Sequence, residues 1–110
     1  MVAAWGLTTD WSTKTPGRLY ALDLNTKALT PITAALGNLD GLEQDQDGRW
    51  IVSDWAAGKV LRVSPQGKIE TILSGFKGPA DLGYDARRNI LYLPRMQENR
   101  VSAFDLSRGY

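Results

Sequence analysis

A short motif returns along this chain at a fixed step. The segments RLYALD from Arg18, KVLRVS from Lys59 and RVSAFD from Arg100 share one form: a cation, then alternating apolar positions, then Asp or Ser. Arg18 lies 41 residues before Lys59, and Lys59 lies 41 before Arg100. A second marker keeps the step, because Gly37-Asn38-Leu39-Asp40 precedes Gly78-Pro79-Ala80-Asp81 by 41 residues. Each unit of such an array is a supersecondary element that cannot bury its apolar face alone. A period of roughly 40 to 45 residues with about four strands per unit marks a β-propeller blade. The expected fold is all-β: four-stranded antiparallel blades, about two and a half to three of them in the chain.

The central unit reads as four strands. Residues 41–46 form strand A, Asp47-Gly48 is a tight-turn signal, and 49–55 form strand B. Trp50, Ile51, Val52 and Trp55 put apolar side chains on both faces of strand B, as expected of a strand sandwiched between two layers. Residues 59–64 form strand C, Pro65-Gln66-Gly67 turns the chain, and 68–74 form strand D. By alignment, 2–9 is a strand B, 18–24 a strand C and 29–33 a strand D. At the far end, 80–84, 90–94 and 100–106 are strands A, B and C. The order is B-C-D, A-B-C-D, A-B-C, in units of about 1–36, 37–77 and 78–110 of a single half-propeller domain. No helical stripe with caps is visible.

Propellers close from about four to eight blades, and closure protects the sheet edges. Fewer than three blades cannot close, so apolar faces stay open at both ends. Either further blades come from a longer chain, or copies associate head to tail. Two copies supply about six blades, and a homodimer is the expected partner arrangement.

Composition excludes several function classes. Net charge is +1 with no basic cluster, which gives no electrostatic case for nucleic acid or an anionic membrane. No apolar run approaches the roughly 18 residues that span a bilayer. The opening MVAAWGLTTD lacks the basic region and apolar core of a signal peptide, and the compartment is not readable. Cys and His are both absent. There is then no cysteine or Ser–His nucleophile, no imidazole base, and no zinc or copper site of the usual kind. A metal here is a hard divalent cation held by oxygen, such as calcium, magnesium or manganese.

The segment NLDGLEQDQDGRWIVSDWAAGKVLRVSPQG resembles the "PDG…D..G.lwV..w..G.V.r..p.G" blade of the senescence marker protein / gluconolactonase family, the regucalcin-like six-bladed propellers. GPADLGYDARRNILYLPRMQENRVSAFDL is similar to the last blade of bacterial members, and AAWG near the start also fits them. The resemblance covers nearly the whole chain but only the C-terminal half of the family's length. It implies hydrolysis of sugar lactones with one divalent cation at the top of the central channel, held by a Glu, an Asn and an Asp from different blades. Asp40 matches the Asp of the "PDG" motif. The Glu and Asn belong to the N-terminal half and have no match here.

In an up-and-down blade the D-to-A and B-to-C connections share one face. Asp40 and Asp81 lie on D-to-A connections beside the channel, and are the candidates for catalysis, with Asp40 also the candidate metal ligand. The plainer reading is that an Asp before Gly sets the turn into a strand. Asp54, Trp55, Arg95 and Met96 lie at B-to-C connections on the same face, joined by the long link 9–17 that carries Trp11. Trp11, Asp54, Trp55 and Arg95 are the candidates for binding a small polar ligand. Trp11 and Trp55 equally suit blade packing, and Arg95 equally suits a surface salt bridge. Trp5 and Trp50 read as packing residues. Asp45-Gln46-Asp47-Gly48 opens like a calcium loop but lacks the later Glu, and reads as a hairpin turn. Two functions remain. One is a metal-dependent lactonase formed on assembly, and the other is a non-catalytic scaffold or ligand-binding module.

Overall fold

The computed structural model describes residues 1–9 and 12–108. Its strands are β1 (Val2–Ala3), β2 (Gly6–Thr9), β3 (Ser12–Pro16), β4 (Leu19–Leu22), β5 (Leu29–Pro31) and β6 (Leu39–Gln44). There follow β7 (Trp50–Asp54), β8 (Lys59–Val63), β9 (Ile69–Ser74), β10 (Gly83–Asp85), β11 (Ile90–Arg95) and β12 (Arg100–Asp105). Only short 3-10 turns, Met96–Glu98 and Leu106–Arg108, are helical among the described residues.

The protein is all-β, built of small antiparallel sheets. A first sheet pairs β1-β4-β5, a middle sheet β6-β7-β8-β9 and a last sheet β10-β11-β12, while β2 and β3 form a separate hairpin. The three larger sheets reproduce the order expected from the repeat: three strands, then four, then three. The turns are those the sequence signalled. Gly48, at φ +77, closes β6 to β7 with its N–H on the Asp45 carbonyl at 3.2 Å. The calcium-loop resemblance is resolved here too. One oxygen of the buried Asp45 carboxylate accepts the N–H of Asp47 and of Arg49, and the other meets Arg49 Nε at 2.8 Å and Arg62 Nε at 3.2 Å.

The expected strand over 2–9 is a correction. It ends at Ala3, and the link 9–17 is not a plain connection. Gly6, at φ +106, turns the chain out of the first sheet into the β2–β3 hairpin. This stretch, GLTT and STKTP, is almost wholly polar and exposed, so no burial pattern announced it.

Two apolar clusters hold the sheets together, and the middle sheet serves both. Leu19, Leu39, Val52, Leu61 and Val63 join the first sheet to the middle one. Ile51, Val60, Ile72, Leu82, Leu91, Leu93 and Leu106 join the middle sheet to the last. Successive side chains of a strand point to opposite faces. Ile51 and Val52 therefore go to different clusters, as do Val60 and Leu61. This is why β7 and β8 read as apolar on both faces.

The same alternation leaves two faces open. On the first sheet Val2, Tyr20, Leu22, Leu29 and Pro31 share the side away from the middle sheet, as their cross-strand pairing requires. On the last sheet Tyr92 pairs with Ala103, and Pro94 with Val101, on the side opposite Leu91, Leu93 and Phe104. Both outer faces are apolar. A self-contained protein of 12.1 kDa exposes about 6,000 Å2, whereas this chain exposes 6687 Å2.

Candidate functional site

Asp40 and Asp81 come to one end of the molecule, Asp81 on the connection just before β10 as expected, Asp40 inside β6 rather than on the connection expected for it. The positioning begins at Gly41. A Cβ there would lie 2.9 Å from both the Ala80 carbonyl oxygen and Asp81 Cα, so glycine alone lets β6 pass this close to the backbone of the last sheet. Ser53, fully buried on β7, locks the approach. Its hydroxyl accepts the Gly41 N–H at 2.8 Å and donates to the Ala80 carbonyl at 2.8 Å. Both backbone groups are satisfied through one side chain. Asp40 and Asp81 follow directly from this crossing, and both are exposed.

The two carboxylates feel each other. Partial loss of hydration, and then the charge of Asp81, hold the Asp40 pKa above its ordinary value. The raised value means that folding is opposed by ionisation of Asp40. Stability from this group is greatest below the ordinary aspartate pKa and declines as pH rises through the folded value. Asp40→Asn is accordingly expected to raise the melting temperature at neutral pH. The gain should vanish on acidification below the ordinary aspartate range, and thermal melts across pH check both limbs.

The other expected site residues are placed as follows. Trp11 lies outside the described residues. Asp54 is buried, its Oδ1 accepting the backbone N–H groups of Asn38 and Ala57, each at 3.2 Å. It holds the Gly37–Asn38 connection and the turn after β7, with its carboxylate turned inward rather than toward a ligand. Trp55 is half-buried, its ring 5.7 Å from that of Trp5 and tilted by 47°. Its backbone N–H donates to the Asn38 carbonyl at 2.9 Å. Arg95 forms an ion pair with Glu98 across the Met96–Glu98 turn, donates to Ser102 Oγ at 3.3 Å, and lies 5.3 Å from the Phe76 ring centre. The salt-bridge reading of Arg95 is the one the geometry fits.

Three features carry more than their sequence suggested. Asn38, 5% exposed, donates from Nδ2 to Thr13 Oγ1 at 2.6 Å and to the Trp5 carbonyl at 3.3 Å. It thereby ties the hairpin down beside Asp40. Trp5 is the ring partner of Trp55. Ser53 is the relay between sheets, and no local pattern distinguishes it. Asn38 had a signal in the repeated Gly-x-x-Asp marker, and Trp5 had one as a packing residue.

The end of the molecule thus presents paired carboxylates, a Trp5–Trp55 aromatic pair and an amide-anchored hairpin. Among the described residues no group of three or more acidic side chains gathers to hold a metal. No helix among them is long and apolar enough to cross a membrane. No family model matches the chain, and no curated protein matches it.

Proposed function

We propose that this chain is half of a six-bladed propeller, that two copies close the ring head to tail, and that the ring binds a divalent cation and a small polyhydroxyl ligand at its Asp40–Asp81 end. One observation carries the reading. Leu19, Val60 and Val101 occupy the same place in successive repeats, and the first two are 0% exposed while Val101 is 67% exposed. Leu19 faces the middle sheet and Val60 faces the last sheet. Val101 faces a sheet the chain does not contain. The outer face of the first sheet repeats the face that the middle sheet turns toward Leu19, so a second copy supplies what Val101 lacks.

The residues present fit a cation in part. Burial first, and then the charge of Asp81, raise the Asp40 pKa, and a bound cation would offset that second cause. Two copies bring two such pairs to one channel. When bound, a divalent cation polarises a lactone carbonyl and acidifies the water that attacks it. Of the chain's own groups, Asp40 and Asp81 either hold that cation or take the proton of the attacking water, while Trp55 gives apolar surface to a sugar ring. The family resemblance supports lactone hydrolysis. Without the family's Glu and Asn, the supporting geometry is the doubled Asp pair.

A non-catalytic, ligand-binding ring is the second reading. It is favoured by the inward engagement of Asp54 and the pairing of Arg95 with Glu98. Hydrolysis of a simple sugar lactone with calcium, magnesium or manganese, measured for the wild type and Asp40→Ala, separates the two. Cation-dependent turnover lost in Asp40→Ala supports the enzyme. A cation-induced rise in melting temperature without turnover supports the binding ring, and neither response overturns the cation site.

A further inference from the structure

We propose that the groove beside Trp5 is a socket for the Met96 turn of a second copy. The proposal rests on the ring reading above and adds which side chains meet at the seam. The groove, of about 430 Å3, lies on the open side of the first sheet and is lined by Trp5, Gly6, Leu7, Pro16, Arg18 and Tyr20. The β2–β3 hairpin supplies one wall, so this edge is deeper than a bare sheet face.

The occupant follows from the register. Ala3 pairs with Leu19, Ser53 with Val60 and Pro94 with Val101. Leu19, Val60 and Val101 are equivalent at the 41-residue step, so Ala3, Ser53 and Pro94 are equivalent too. Two residues beyond each stand Trp5, Trp55 and Met96. Each of the last two is held by its backbone to the connection before its own sheet, the Trp55 N–H donating to the Asn38 carbonyl and the Met96 N–H to the Gly78 carbonyl, both at 2.9 Å, with the acceptors one residue out of step in the repeat.

Inside the chain, the ring of Trp5 covers that of Trp55, the next residue in the series. Met96 ends the series and is 58% exposed, while Trp5 begins it and its free side is the groove. A copy docked by the same rotation lays Met96 against Trp5. An unbranched thioether suits an irregular aromatic groove, and sulfur packs favourably against ring edges. The several hundred Å2 of surface in excess of a self-contained chain is of the order a standard interface removes from each partner, about 800 Å2.

The chain has no Cys, which makes pairwise cross-linking clean. Leu7→Cys with Met96→Cys is expected to give disulfide-linked dimers under mild oxidation. Thr71→Cys with Met96→Cys, which places the first thiol on β9 away from the groove, is expected to give none. Met96→Glu should weaken self-association by about a hundredfold, and Met96→Leu should leave it nearly unchanged. A wild type of dimeric mass with no Leu7–Met96 cross-link and an unaffected Met96→Glu variant overturns the socket and leaves the ring standing. A monomeric wild type overturns both.

Discussion

Val101→Asp is expected to abolish self-association while leaving the chain folded. Val101 is 67% exposed in the single chain, so a polar side chain there disturbs no internal packing, and exposed substitutions of this kind usually change stability by no more than about 0.5 kcal/mol. In a closed two-copy ring the same residue is buried at both seams. Each seam would then enclose an unpaired carboxylate against Tyr20, Leu22 and Leu29 of the partner copy, and an uncompensated buried charge is among the costliest defects. With both seams affected, association should weaken by at least about a thousandfold, which at about 1.4 kcal/mol per tenfold is about 4 kcal/mol. Sedimentation velocity reads the mass, and far-ultraviolet circular dichroism reads the fold. Val101→Ile, which keeps the surface apolar, should behave as the wild type. Retention of the oligomer by Val101→Asp contradicts the assignment of this face.

Gly41→Ala is expected to produce the largest change at the carboxylate end. Its added methyl meets backbone on three sides, at Ala80, Asp81 and Leu82, and backbone cannot rotate aside as a long side chain can. The middle and last sheets must separate locally, and the Ser53 bridge between Gly41 and Ala80 lengthens with them. Overpacking of this kind costs about 1–3 kcal/mol, and a strained buried hydrogen bond adds to it. The electrostatic signature is distinct from simple loss of stability. Moving Asp81 away removes part of what raises the Asp40 pKa, so carboxyl titration by NMR should show that value falling toward the ordinary one. Unchanged stability together with an unchanged Asp40 titration would mean that Gly41 does not set the spacing.

Much of the architecture was legible because the repeat is written twice over, in turn residues and in apolar alternation. Strand C of each unit begins within one residue of its expected start, and the Asp47-Gly48 turn falls between β6 and β7. The hairpin was illegible for the opposite reason. Its strands bury almost nothing, and the residue that launches it, Gly6, looks from sequence like any strand glycine. The candidate site was legible in position and less so in role. An Asp at the end of a strand points inward or outward according to a register of one residue, and Asp54 points inward to backbone N–H groups. Arg95 meets Glu98 because the Met96–Glu98 turn, closed by Asn99 at φ 54, sets the two three residues apart on one side. That conformation is not encoded in the apolar pattern. Asp40 and Asp81 stand out in the sequence because they belong to the repeat, and the close approach of their two segments at Gly41 does not.

The central claim is that the open faces of the first and last sheets belong to one another across copies. Sedimentation equilibrium of the unmodified 110-residue chain tests it most directly. A single species of twice the chain mass of 12.1 kDa, independent of added cation, is the expected result. A folded, cooperatively melting monomer at high concentration would contradict it.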